Sequence, residues 1–298
     1  MAAGIPAGLG QAQRERLAYI DFRLYFLGEV SRADIASRFG VALAGATRDL
    51  AVYREAAPDN IVFDGSSKTY RIGPSFRPLF DHPLDRTLSA LSQGFGDGLG
   101  GSKGGMVACE FLEPLNRPAT GTLATVTRAI RAEAVLSVSY VSMGGGESKR
   151  EIVPFALADN GLRWHARAFD RKSGLYRDFV LTRIRRAAPV PGEAPGPAEG
   201  PANDIQWNRV VELDLVPHPD APRPDVSALD YPMENGVLRL KARAALAGYV
   251  LRRWSVDCSP DHGLRGPEYR LWLRDPLALY GVESAALAPG YIPPGERV

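Results

Sequence analysis

The chain is poor in cysteine. Its two, Cys109 and Cys258 in 298 residues, make neither a zinc spacing nor a disulfide framework, so a reduced, cytoplasmic protein is expected. No apolar run approaches the roughly 18 residues that a membrane helix needs. Residues 1–10 lack the basic-then-apolar order of a secretory signal. Histidine is scarce too: His82, His165, His218 and His262 are scattered. There is no GxSxG, HExxH, P-loop or dinucleotide fingerprint. An enzyme is therefore not expected, nor a cofactor, nor a metal. His218 with Asp220 resembles a ligand pair, but the flanking Pro217 and Pro219 predict a solvent-facing turn. Finally, no charge sign dominates, with 36 Lys/Arg against 34 Asp/Glu.

The distribution of that charge is uneven. Residues 1–80 carry ten basic against eight acidic side chains, residues 128–186 twelve against six, and residues 205–298 eleven against twelve. The middle segment is the basic one, and an excess of one sign steers anionic partners.

Leu17, Ile20, Leu24 and Leu27 make one apolar stripe that predicts a helix from Gln11 to Leu27. Ser31 then caps a short helix, with Asp34 at its third position. Gly40 breaks it, and a third helix runs from about 42 to 55. Ile61-Val62-Phe63 and Thr69-Tyr70-Arg71-Ile72 flank Asp64-Gly65-Ser66-Ser67-Lys68, a hairpin composition. Helix, helix, turn, helix and hairpin make a winged helix-turn-helix over 1–80. In such a motif the second helix enters the major groove. Val41, Ala46, Leu50 and Tyr53 take core spacing on it, which leaves Ala44, Gly45, Thr47 and Arg48 outward. Small residues at Ala44 and Gly45 permit close approach. Thr47 suits a thymine methyl or a phosphate, and Arg48 suits guanine or phosphate. Lys68 at the hairpin tip suits a phosphate.

Residues 81–127 read as a helical and flexible bridge, with a helix from Leu84 to Gln93 and a glycine-rich loop from 94 to 105. A helix over 120–134 leads into strands near 135–141 and 151–157. Then come Asn160-Gly161-Leu162-Arg163-Trp164-His165-Ala166-Arg167-Ala168-Phe169-Asp170 and Arg177-Asp178-Phe179-Val180-Leu181-Thr182-Arg183-Ile184, two strands joined by a polar hairpin. Strand alternation places Trp164, Ala166 and Ala168 on one face and Arg163, His165, Arg167 and Phe169 on the other. Two arginines and a histidine on one face make a poor core and a plausible anion site. The competing reading pairs each arginine with Asp159, Asp170 or Asp178. Consecutive short strands suggest a small curled sheet or barrel. Residues 187–203 hold five prolines and read as a linker and domain boundary. Beyond it, strands at 210–216, 236–242 and 269–273 and a helix at 244–254 make an α+β domain. The four tryptophans read as core or interface anchors.

Phe39-Gly40-Val41 and Thr47-Arg48-Asp49-Leu50, together with Tyr140, Pro154 and the two motifs beginning at Asn160 and Arg177, resemble the WYL-domain transcription regulators. The branch most resembled is that associated with phage-defence islands such as BREX and CBASS. The triplet that names the family is altered: Trp164 matches, but His165 and Ala166 replace tyrosine and leucine. The resemblance implies a multidomain α+β chain: a winged helix-turn-helix (1–80), a bridge (81–127), a central Sm-like (SH3-like) β-barrel WYL domain (128–190) and a C-terminal α+β extension (205–298). It implies a homodimeric repressor of its own or a neighbouring operon, bound to double-stranded DNA at an inverted repeat. A nucleotide or nucleic-acid effector would sit on His165, Arg167, Arg177 and Arg183, with Tyr140 and Ser142 as neighbours. Guanidinium forks suit phosphate, and His165 could stack on a base or donate to a phosphate. On this reading Arg167→Ala removes the ligand response and spares DNA binding. The alternative is a binder of RNA or single strands acting through the basic barrel. A third reading is a scaffold that contacts protein alone.

Overall fold

The structure is a computed structural model that describes residues 8–95, 105–112 and 115–294. Residues 96–104 of the glycine-rich run lie outside the described residues. The chain divides into two compact units, Met1–Phe111 and Leu112–Val298.

In the first unit, α1 (Gln11–Leu27) buries Leu17, Ile20 and Leu24 and ends at Gly28, whose φ of 79° is the left-handed conformation that favours glycine. A two-residue strand follows, β1 (Glu29–Val30). Ser31 and Asp34 form a reciprocal capping box on α2 (Arg32–Phe39). Gly40 turns the chain into α3 (Leu43–Ala56), which buries Ala46, Leu50 and Tyr53. The hairpin of β2 (Ile61–Asp64) and β3 (Thr69–Ile72) makes the wing, and β1 pairs with β3 to widen it to three strands. Lys68 sits in the hairpin turn at φ 56°. Helix α4 (Leu84–Gln93) closes the unit.

A buried polar network ties α1 to α3. The Asp21 carboxylate accepts from Tyr53 Oη at 2.5 Å and from the Leu79 N–H at 3.0 Å, and lies 2.7 Å from His82 Nε2. Burial and Asp21 together push the Tyr53 phenol well above its ordinary range, so it stays a donor.

In the second unit, α5 (Thr120–Ala132) packs Val126 and Ala129 on a meander of five antiparallel strands. These are β4 (Leu136–Ser142), β5 (Gly146–Asp159), β6 (Trp164–Asp170), β7 (Leu175–Val180) and β8 (Ile184–Pro189). Their order is β7-β6-β5-β4-β8. Among the described residues no ladder joins β7 to β8, so the hydrogen-bonded array is open where a closed Sm-like barrel is expected. A 3-10 turn, Leu181–Arg183, carries the chain from one edge strand to the other. A bulge lets β5 skip Phe155, pairing Pro154 with Ala168 and Ala156 with Arg167. Trp164 does not join the core; it is 47% exposed, while Ala166 and Ala168 of the same strand are buried in it.

Residues 190–203 are not a free linker. Arg171 donates to Glu199 at 2.8 and 2.9 Å, to Glu193 at 3.1 Å and to the Ala194 carbonyl at 3.1 Å. Tyr176 Oη donates to the Ala198 and Gly200 carbonyls. The proline-rich excursion is thus strapped to the sheet it leaves. After it come α6 (Ile205–Asn208), β9 (Val210–Pro217), α7 (Pro224–Asp230), β10 (Leu238–Arg243), α8 (Ala244–Arg253) and β11 (Leu271–Leu273). The second sheet, ordered β10-β9-β11, shares an apolar core with α8. Gly248 is required there: a β-carbon would lie 1.7 Å from the Ser284 carbonyl oxygen.

His218 is the clearest departure from expectation. Its turn is not solvent-facing, for the ring is 4% exposed. The His218 N–H donates to the Arg270 carbonyl, which prolongs β9 beside β11. His218 Nε2 lies 3.2 Å from Asp257 Oδ2, and Nδ1 accepts the Asp220 N–H at 3.2 Å. Both ring nitrogens are taken, so the histidine is a structural clasp. No cluster able to hold a metal occurs among the described residues.

Candidate nucleic-acid interface and anion cavity

Two basic places carry the residues singled out in the sequence, one in each unit. The first is the N-terminal end of α3. Ala44, Thr47 and Arg48 are exposed and Gly45 is half-buried. Thr47 Oγ1 donates to the Leu43 carbonyl at 2.9 Å, which leaves its methyl and a hydroxyl lone pair for a partner. The helix is held from behind by Asp49, which is buried. Asp49 accepts Arg16 Nε at 2.6 Å, Arg16 Nη2 at 3.3 Å and Gln13 Nε2 at 3.1 Å. One turn of helix therefore carries an anchored carboxylate inward and an exposed guanidinium, Arg48, outward, which has no partner among the described residues. Asp49 follows Arg48 directly in the sequence, and its pairing with α1 could not be read from spacing. Lys68 is exposed at the wing tip.

The second place is a cavity of about 440 Å³ between the five-stranded sheet and the C-terminal part of the same unit. Of the six expected ligand residues, Tyr140, Ser142, Arg167 and Arg177 line it. His165 and Arg183 are not among the lining residues. His165 is 4% exposed with its ring 5.4 Å from that of Tyr249 on α8, so it is covered by the C-terminal segment. Arg183 lies in the 3-10 turn, half-buried. The cavity gains Arg150, Tyr176 and Tyr249, none of them expected. Arg150 was within reach of the two-residue period, since β4 and β5 pair Tyr140 with Ser148 and Val138 with Arg150.

The three arginines differ sharply. Arg177 is half exposed and donates to Ser173 Oγ at 3.0 Å. Arg150 donates to Asp170 Oδ2 at 2.6 Å from the edge of the cavity. Arg167 is 4% exposed and engages two carboxylates. Its Nε donates to Asp204 Oδ2 at 2.7 Å, its Nη2 to Asp204 Oδ1 at 3.1 Å and its Nη1 to Asp178 Oδ1 at 3.3 Å. Burial alone would lower the Arg167 pKa, but Asp204 and Asp178 outweigh it and raise it. Asp178 was one of the expected partners; Asp204, beyond the proline-rich run, was not. Removing the Arg167 side chain would strand the buried Asp204 carboxylate and take the cation from the partly buried Asp178, so Arg167→Ala is a change of stability before it is a change of ligand response. Tyr249 Oη donates to Asp178 Oδ2 at 3.3 Å. Its phenol is pushed up to about 12, by burial first and by Asp178 second.

Comparison with known proteins divides along the same segments. Residues 12–93 match the model of the BrxR transcriptional regulator winged helix-turn-helix domain, residues 121–189 that of the WYL domain, and residues 210–279 that of the BrxR C-terminal dimerization domain. The DNA-binding transcriptional repressor CapW of Escherichia coli (strain KTE188) is 33% identical over 267 residues, 86% of this chain and 87% of that protein. CapW proteins of Stenotrophomonas maltophilia and Pseudomonas aeruginosa are 32% and 30% identical, covering 82% and 88% of this chain and 84% and 88% of their own. Among solved structures, proteasome accessory factor B/C (PafBC) of Arthrobacter aurescens aligns at 18% identity over 93% of this chain. The chain spans 46% of that longer protein, and the TM-score of 0.29 carries no argument. With three domain models in order along it and relatives at this identity over most of its length, the chain belongs to the BrxR–CapW family of WYL-domain transcriptional regulators.

Proposed function

We propose that the chain is a DNA-binding transcriptional repressor that reads duplex DNA through Ala44, Gly45, Thr47 and Arg48, with Lys68 on a phosphate. The observation that carries this is the outer face of α3: small residues and an exposed Arg48 outside, Asp49 locked to Arg16 inside. A helix anchored in this way presents its first turns to the major groove at a fixed rotation. The protein acts as a cytoplasmic homodimer on an inverted repeat, in keeping with the match of residues 210–279 to a dimerization domain. No described helix is long and apolar enough to cross a membrane. Its target is its own or a neighbouring phage-defence operon.

The cavity holding Tyr140, Ser142, Arg150 and Arg177 is the site of a nucleotide or nucleic-acid effector. The five-stranded sheet is read as an Sm-like partial barrel. The bulge in β5, the register shift between Ser139 and Tyr140 in β4, and the 3-10 corner at Leu181–Arg183 support that reading by bending the sheet on itself.

Fluorescence anisotropy of the full chain tests the main reading. The probes are duplex DNA from immediately upstream of its reading frame, a scrambled duplex and a single strand, across a salt series. Binding to the upstream duplex at least about 10³-fold above scrambled is expected. Equal binding to all three, or preference for the single strand, would overturn it in favour of direct single-strand binding by the basic sheet.

A further inference from the structure

The bond between Arg167 and Asp204 has the form of a ligand contact. Nε and Nη2, one edge of the guanidinium, meet the two oxygens of one carboxylate at 2.7 and 3.1 Å. That is the parallel two-bond arrangement in which arginine holds a phosphate. The carboxylate reaches β6 from 37 residues further along the chain. Asp204 has a second task. Its Oδ1 also accepts the Trp207 N–H at 3.0 Å, capping α6.

A four-residue helix has no stability of its own, so α6 stays in place through its contacts. Gln206 Nε2 donates to the Gly281 carbonyl and its Oε1 accepts the Glu283 N–H. The Trp207 carbonyl accepts from Arg243 Nη1, and the Arg243 guanidinium lies 4.7 Å from the Trp207 ring centre. Helix α6 thus links the Arg167 fork to β10 and to the 283–287 turn of the C-terminal sheet. Of the three arginines that line the cavity, Arg177 and Arg150 are the more exposed, at 51% and 18% of the side chain, and Arg167 the least, at 5%.

We propose that Asp204 is an internal anion holding the phosphate place of the cavity, and that an effector phosphate, drawn in by Arg150 and Arg177, takes Arg167 from Asp204 and thereby uncaps α6. This rests on the cavity being the effector site. The chemistry selects a phosphate over a carboxylate, because a terminal phosphate carries about −1.5 to −2 charge against −1 and offers three acceptor oxygens. The released Asp204 loses both the fork and its place beside Trp207. Movement of α6 then reaches the segment that matches the dimerization domain.

The test uses the full chain and a short single-stranded oligonucleotide with a labelled 3′ end, with and without a 5′-phosphate. Asp204→Asn keeps the shape and a capping oxygen but removes the competing charge. It is expected to tighten binding of the phosphorylated probe at least about tenfold, the scale of one charge-assisted hydrogen bond, and to change the unphosphorylated probe little. Asp178→Asn removes the same charge from the same arginine without vacating the two-bond edge, and a gain as large there would overturn the inference. Should Asp204→Asn not fold, hydrogen exchange on the native chain decides. Saturating phosphorylated probe should speed exchange of the Trp207 and Asn208 amides, and unchanged exchange overturns the inference. Failure of the underlying reading looks different. If Arg150→Ala with Arg177→Ala leaves probe binding intact, the cavity is not the effector site at all. If that pair abolishes binding while Asp204→Asn brings no gain, the cavity stands and the competing anion falls.

Discussion

The outer face of α3 and the wall of the cavity are both built around arginine, in opposite ways. On α3 the acidic neighbour, Asp49, is turned inward and spent on Arg16, so Arg48 reaches solvent with no partner among the described residues. In the cavity the acidic neighbours face the arginines: Asp204 and Asp178 hold Arg167, and Asp170 holds Arg150. The first surface is complete and waits for an external anion. The second is already neutralised from within, and an external anion has to displace something. Counting basic residues along a segment does not separate the two cases. Residues 1–80 have the smaller charge excess and the freer arginine.

The comparison is broken most forcefully at Arg167. Arg167→Ala leaves Asp204 buried without a cation and removes the cation from the partly buried Asp178, and should cost about 3–5 kcal/mol of stability, read as a fall in the denaturation midpoint. A midpoint equal to the parent's would mean that Arg167 is not sealed. At the other site Arg48→Ala should leave the midpoint within about 0.5 kcal/mol and weaken operator binding by about 1–3 kcal/mol. Loss of stability there, with affinity kept, would reverse the assignment of the two arginines. Gly45→Ala sharpens the contrast at smaller scale. An added Cβ would lie 3.8 Å from the nearest atom, Val41 Cβ, so the helix should gain up to about 1 kcal/mol. Operator affinity should nevertheless fall, since the methyl stands between backbone and DNA; a variant gaining both would show that the backbone does not approach closely.

The smallest effect is one of pH. Burial holds His165 below its ordinary 6.5, against the opposing pull of Asp178. On acidification the unfolded chain therefore takes up that proton first. Below about pH 6.5 unfolding binds a proton and stability falls with falling pH, until the depressed folded value is passed; above 6.5 this group contributes no slope. Urea midpoints taken from pH 8 to 5 should show the decline, and His165→Gln should flatten it. An unchanged slope in that variant would remove His165 as the source.

Local signals were legible and distant ones were not. The span of α1, the Ser31–Asp34 capping box and the span of α4 follow from neighbours within a turn of helix. The β6–β7 hairpin follows from its alternation. Strand β1 escaped, because two residues become a strand only when Arg71 and Tyr70 pair with them. Alternation put His165 and Arg167 on one face but was silent on what covers that face. The cover is Tyr249 and Asp204, brought back from beyond the proline-rich run. His218 misled because prolines on both sides mark a turn, and a turn can still be sealed by a second strand end and a buried carboxylate.

The strapping of residues 190–203 has a consequence for how such genes recombine. A proline-rich stretch between two sheets looks like a natural seam for exchanging modules. Here the seam is stitched from one side by Arg171 and Tyr176 of the first sheet, and Asp204, just past its end, completes an ion pair back in that sheet. A crossover placed in the stretch would hand the first sheet a foreign carboxylate and a foreign strap. Lineages that shuffle their DNA-reading halves should therefore carry residues 112–294 as one inherited cassette, with joints falling before it rather than within it.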